Sequence, residues 1–208
     1  MDKRGLLLLC LVLCLLSTGC FELEGQIQDR QNNTTGEIYD NLTVGQSFLA
    51  TKDKLSRIDI RLATYARENT HEIIFELREA GAQEPVVSQI IQAQSIKNNA
   101  YHSFHFDPIT NSLGRTYIFT LSSPESKPGN AITAWYHTDD LYENGTIFLD
   151  EKPGEGDLRF RIFYTKSLRE VAVLIFKRIT EDWIFFIFWC LLLMVTASTI
   201  LWLHRKEK

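Results

Sequence analysis

Cysteine is nearly absent from this chain. There are four, Cys10, Cys14, Cys20 and Cys190, and none lies between residues 21 and 189. No disulfide can form within that stretch, so its core must be self-sufficient and a cysteine-rich receptor module is excluded. A basic surplus is missing as well. The 22 Lys/Arg stand against 26 Asp/Glu, a formal net charge of −4, which is not the footprint of a nucleic-acid binder. Catalytic signatures are also lacking: there is no Gly-x-Ser-x-Gly elbow and no phosphate loop. His71-Glu72-Ile73-Ile74-Phe75 opens like a zinc-protease helix, but Phe75 occupies the place of the second histidine. His102 and His105 are three apart, which in a strand sends them to opposite faces. These absences argue against an enzyme and against a resident cofactor.

What is present is apolar sequence at both ends. Lys3 and Arg4 precede an apolar run of 11 residues, Leu6–Leu16, and small residues follow at Ser17, Thr18 and Gly19. Such a run is far shorter than a ~30 Å hydrocarbon core, so residues 1–20 are read as a secretory signal. Ser17-Thr18-Gly19-Cys20 resembles a bacterial lipobox, with Cys20 the candidate lipidation site. Ser17 stands where an aliphatic residue is usual, and cleavage after Gly19 by ordinary signal peptidase is the alternative.

At the other end, Trp183–Leu203 is 21 residues without charge, Pro or Gly. As a helix it measures about 31 Å, the thickness of a bilayer core. Trp183 and Trp202 mark its ends, and Arg205, Lys206 and Lys208 beyond it place the C-terminus inside. The expectation is a single-pass type I protein of the cell membrane with its ectodomain outside. Thr196, Ser198 and Thr199 form a hydroxyl-bearing cluster suited to packing against another membrane helix. Ser167 and Glu170 make a capping box for a juxtamembrane helix over 167–182. The tail, 204–208, is too short for a domain.

Between the ends, residues 21–166 read as β. Short runs rich in β-branched and aromatic residues alternate with turn signals such as Lys127-Pro128-Gly129-Asn130 and Asn144-Gly145. Strands are expected near 37–39, 43–50, 55–65, 71–79, 86–93, 101–106, 115–122, 131–137, 146–150 and 157–164. Arg57-Ile58-Asp59-Ile60-Arg61-Leu62 alternates cleanly, and Asp157-Leu158-Arg159-Phe160-Arg161-Ile162 repeats the design. Many short strands with no long amphipathic helix among them predict an all-β, antiparallel sandwich followed by the single transmembrane helix.

Gly45-Gln46-Ser47-Phe48, Thr70 to Arg78, Gly129 to Trp135, Tyr142 to Gly145 and Gly156 to Phe160 together resemble a jelly-roll domain of prokaryotic envelope proteins. The likeness spans about residues 37–165. It implies a carbohydrate-binding-module-like sandwich, of a kind that often accompanies polytopic membrane glycosyltransferases. Surface glycan and a polytopic membrane protein are then the expected partners, besides the bilayer.

The residues best suited to sugar lie between 135 and 144. Trp135 and Tyr142 offer aromatic faces, and Asp139, Asp140 and Asn144 offer hydroxyl-bonding groups. The alternatives are a core tryptophan and a solvated turn; Asp139 and Asp140 are also the candidate calcium ligands. N-glycosylation sequons occur at Asn32, Asn33, Asn41 and Asn144. The functional expectation is a non-catalytic, membrane-anchored surface protein that binds glycan or serves envelope glycan machinery as an accessory subunit. The alternatives are a structural or assembly protein that binds protein partners and no sugar, and a hydrolase.

Overall fold

The computed structural model describes residues 22–166, 168–181 and 183–206. The expected signal with Cys20, the expected cap at Ser167 and residues 207–208 lie outside the described residues. Glu22–Thr165 forms one compact unit.

That unit is a sandwich of two wholly antiparallel sheets. Sheet 1 contains β1 (Glu22–Gln28), β2 (Asn33–Thr34), β4 (Leu55–Ala63), β7 (Ala100–Ile109), β9 (Thr133–His137), β12 (Asp157–Leu158) and β13 (Phe160–Thr165). Sheet 2 runs in the order β11 (Lys152–Pro153), β10 (Ile147–Leu149), β3 (Thr43–Leu49), β8 (Thr116–Ser122), β5 (Glu72–Glu79), β6 (Val87–Gln92). From β3 onward the chain changes sheet at every connection except β5–β6, β10–β11 and β12–β13. Each sheet thereby gains strands from distant parts of the sequence.

Alternation decides which face is buried. In β4 the side chains of Ile58, Ile60 and Leu62 are fully buried, while Arg57, Asp59 and Arg61 take the opposite face. β13 does the same with Phe160, Ile162 and Tyr164 inward. Aromatic rings join the layers. Phe75 of sheet 2 stacks on Phe104 of sheet 1 with centroids 4.1 Å apart, and Phe119 meets Phe160 edge-on at 5.7 Å. Phe75, the residue that breaks the zinc-protease pattern, is thus a core side chain.

Three departures from the expected strands have local causes. The 37–39 segment is no strand: Ile38 is buried and bonds through its N–H to Ile132 O, while Glu37 turns to pair with Arg67. The 157–164 strand breaks at Arg159, where the chain changes neighbour. Arg159 N donates to Trp135 O of β9 at 2.8 Å, and Arg159 O accepts from Arg61 N of β4 at 3.0 Å. β1 is additional. Its pairing with β13 shifts register between Glu24 and Ile27, which leaves Ile27 exposed and Gln28 buried, the reverse of the usual pattern.

Two helices follow the sandwich, α1 (Leu168–Glu181) and α2 (Trp183–Lys206). Ile184, Phe188, Leu193 and Val195 of α2 are exposed. The unbroken run of described side chains in α2 covers 186–200, and among the described residues no helix is long and apolar enough to cross a membrane. Thr196 Oγ1 donates to Leu193 O at 2.8 Å and Thr199 Oγ1 to Val195 O at 2.7 Å, so both hydroxyl protons are taken by their own helix. Ser198 is exposed.

Candidate functional site

The residues singled out between 135 and 144 separate. Ala134 and Tyr136 of β9 face the core, so Trp135 points outward from sheet 1, half-buried, with its indole N–H donating to Asn99 Oδ1 at 2.8 Å. Tyr142 packs inward. Its ring meets Phe160 edge-on at 5.4 Å, and its hydroxyl accepts from Leu49 N at 3.3 Å. Asp139 and Asp140 are exposed and line an open cleft of about 450 Å³ with Gly145, Gly154 and Glu155. Asn144 is exposed on the same loop. Trp135 and Tyr142 therefore do not share a platform. Among the described residues no three His, Cys, Asp or Glu side chains converge as a metal-binding group. The other sequon asparagines, Asn32, Asn33 and Asn41, are exposed, and the Asn32 amide is tied to Thr138 through both its oxygen and its nitrogen.

The loop is held from below by Asp157, whose side chain is fully buried. One carboxylate oxygen accepts from Leu141 N and Tyr142 N at 2.7 and 2.8 Å, and the other from Gln46 Nε2 at 2.9 Å. Burial pushes its pKa up, against the pull of those donors.

The densest polar constellation lies elsewhere, on the outer face of sheet 1. Register sets it out in three rows: Tyr101, Arg61 and Arg159; Ser103, Asp59 and Arg161; His105, Arg57 and Phe163. Neighbouring strands are about 4.8 Å apart and side chains repeat every second residue, so these groups are forced together. Arg61, Arg159 and Arg161 surround the Tyr101 ring, with guanidinium carbons 5.4, 5.4 and 4.3 Å from its centroid. Asp29, just past β1, accepts from the Tyr101 hydroxyl, from Arg159 at 3.0 Å and from Arg161 at 3.0 Å. Arg159 also reaches Gln31 Oε1 at 2.9 Å.

The electrostatics follow from those contacts. The Tyr101 hydroxyl first, and then the two arginines, hold the Asp29 carboxyl down at about 2. Burial, reinforced by Asp29, pushes the Tyr101 phenol up. At the far end Arg57 lies 3.6 Å over Phe163 and pairs with Glu22 and Asp59. At the Tyr101 end two guanidinium groups, those of Arg159 and Arg161, share the Asp29 carboxylate. Arg61 has no ion-pair partner among the described residues, and the Nε atoms of Arg61 and Arg161 are buried without a hydrogen-bond acceptor. Trp135 is opposite Arg159 in the β9 pairing and faces the same way, so it borders this end. As expected of a strand, His102 and His105 part: His102 pairs with inward Ile60, and burial lowers its pKa, while His105 pairs with outward Arg57.

None of Asp29, Arg61, Tyr101, Arg159 or Arg161 stands out in the sequence as a site. The one signal is the pair of alternating charged strands, Arg57-x-Asp59-x-Arg61 and Arg159-x-Arg161, and its meaning depends on β4 and β13 being neighbours.

No protein family and no curated protein matches the sequence. Among solved structures, the fold is similar to that of the cysteine protease and lectin-like domains of Cwp84, a surface layer associated protein of Clostridium difficile. The identity is 12% and the TM-score 0.46, over 71% of this chain and 36% of that one.

Proposed function

We propose that this is a non-catalytic, membrane-anchored protein of the cell surface whose jelly-roll-like sandwich binds a glycan, alone or as an accessory subunit beside a polytopic membrane enzyme. The observation that carries the reading is the outer face of sheet 1. It presents Trp135 and Tyr101 beside Asn99, Gln31 and several arginines, the mixture of flat apolar rings and polar donors that suits a pyranose. Anchoring is supported by the uncharged run of 21 residues from Trp183 to Leu203 and by the basic residues beyond it.

A glycan array probed with the full-length protein in mild detergent tests the binding. Retention of defined glycans, lost in Trp135→Ala with the thermal midpoint preserved, is the expected result. Protease added to spheroplasts should remove the sandwich and leave a membrane-bound fragment; full protection overturns the topology.

One observation favours the structural alternative, a protein-binding role. β6 is an edge strand, with Ile90 61% exposed and Val86 beside it 51% exposed. No array binding, with a protein partner crosslinked through β6, would establish that role instead.

A further inference from the structure

We propose that the ligand of the sheet 1 face is an acidic saccharide, with a uronate carboxylate seated between Arg61 and Arg161. The inference rests on the glycan-binding reading above and specifies its chemistry.

Charge is the first argument. Residues 22–165 carry 13 Lys/Arg against 21 Asp/Glu, so the sandwich is acidic as a whole. Four of those 13 cations, Arg57, Arg61, Arg159 and Arg161, nevertheless share one face of one sheet. Glu22 and Asp59 pair with Arg57, Asp59 also stands across the ladder from Arg161, and Asp29 pairs with Arg159 and Arg161. The four arginines thus face three carboxylates, a surplus of one positive charge on a domain that otherwise repels anions, and Arg61 is the arginine without an ion pair among the described residues. Charge of that sign and place selects an anionic partner.

Unsatisfied donors are the second argument. Among the described residues the Nε atoms of Arg61 and Arg161 are buried without an acceptor, and Arg61 lies over the Tyr101 ring with no ion-pair partner. Guanidinium groups recognise planar oxyanions through paired N–H donors, and a buried donor without an acceptor is costly until one arrives. Tyr101 and Arg159 hold these groups in place beforehand: Arg159 Nε donates to Tyr101 Oη at 2.9 Å, and its terminal nitrogens are fixed by Asp29 and Gln31. Arg61 and Arg161 lie on adjacent strands one row apart, with guanidinium carbons 5.4 and 4.3 Å from the same Tyr101 ring centroid. Trp135, oriented by Asn99, supplies the ring face for the sugar that carries it.

The full-length protein in nonionic detergent is titrated with polygalacturonate, with fully methyl-esterified polygalacturonate, with dextran sulfate and with poly-glutamate. The expected result is at least tenfold tighter binding to polygalacturonate than to its ester, weakening as salt is raised. Arg61→Gln should lose tenfold or more of that affinity while the thermal midpoint stays within about 2 °C, because a charge-assisted hydrogen bond is worth about that factor. Arg61→Lys, which keeps the charge and loses the fork, should fall between. The acid-to-ester ratio needs no variant and decides the matter if Arg61→Gln does not fold.

Equal affinity for acid and ester, or no loss in Arg61→Gln, overturns the anion subsite and leaves glycan binding standing. Tighter binding to dextran sulfate than to polygalacturonate overturns the carboxylate assignment. Binding to poly-glutamate alone, or to none of these and no array glycan, overturns both readings.

Discussion

Asp29 and Asp157 are both hydrogen-bonded carboxyls, and they should respond to pH in opposite senses. The folded state holds Asp29 at about 2 against an ordinary value of 3.8, so the unfolded chain takes up its proton first as the solution is acidified. The stability Asp29 contributes is complete above about pH 4 and lost as pH falls towards 2. Its side chain is 44% exposed, which screens the effect, so the readout is a slope. Thermal midpoints of Asp29→Asn measured from pH 5 down to 2 should fall less steeply than those of the wild type. Asp157 has a raised pKa, so its contribution is complete at low pH and declines as pH rises through the folded value. Asp157→Asn tests the geometry. All three protons aimed at this group come from donors, two backbone N–H groups on one oxygen and Gln46 Nε2 on the other. Gln46 cannot turn over freely, because its Oε1 accepts from Leu158 N at 3.0 Å. Any orientation of an asparagine amide therefore sets a donor against a donor, and the expected loss is about 1–3 kcal/mol by denaturant titration.

Individual strands were readable in proportion to the clarity of their alternation. The expected 43–50, 55–65, 71–79, 86–93 and 115–122 match β3, β4, β5, β6 and β8 to within two residues at either end; β4, β5 and β8 place apolar side chains at every second position, and β3 and β6 break that row only at Gln46 and Gln89. β1 was unreadable for a reason that lies in tertiary packing. Its Gly25 sits where a Cβ would overlap the Tyr164 ring, and the register shift beside it inverts which residues are buried. Gly25→Ala should displace Tyr164, whose hydroxyl accepts from Thr51 N and donates to Gln26 Oε1. A cost of about 1–3 kcal/mol is expected from overpacking, with β1 amides the first to lose protection in hydrogen exchange. The candidate site was illegible for a related reason. Sequence spacing assigns Arg57 and Arg61 to one face of β4, and Arg159 and Arg161 to one face of β13. It does not say that these strands are neighbours almost 100 residues apart in the chain. Trp135 is visible in the sequence as an aromatic, and the structure places it on the outer face of sheet 1; Tyr101, on the same face, comes from a strand whose letters offer nothing unusual.

At the scale of the molecule, a sandwich without cysteine depends on its aromatic core and its ladders alone. Reductant should therefore leave the thermal midpoint of the 22–165 transition unchanged to within about 1 °C, and a larger fall would mean a disulfide outside that unit props it up. The ladders also determine how the molecule bears tension. Glu22, at the start of the sandwich, pairs with Thr165 at its end, so a pull that separates the two ends opens β1 from β13 one rung at a time, like a zip. A pull from the sheet 1 face takes another route. Arg159 and Arg161 belong to β13, the strand that continues into the C-terminal helices, and β13 is bonded along one edge to β1 and along the other to β4. Load entering at those arginines and leaving through residue 165 runs along the strand, and both ladders must shear at once. The sandwich should therefore be weak when peeled by its own ends and strong when drawn through the arginines of β13.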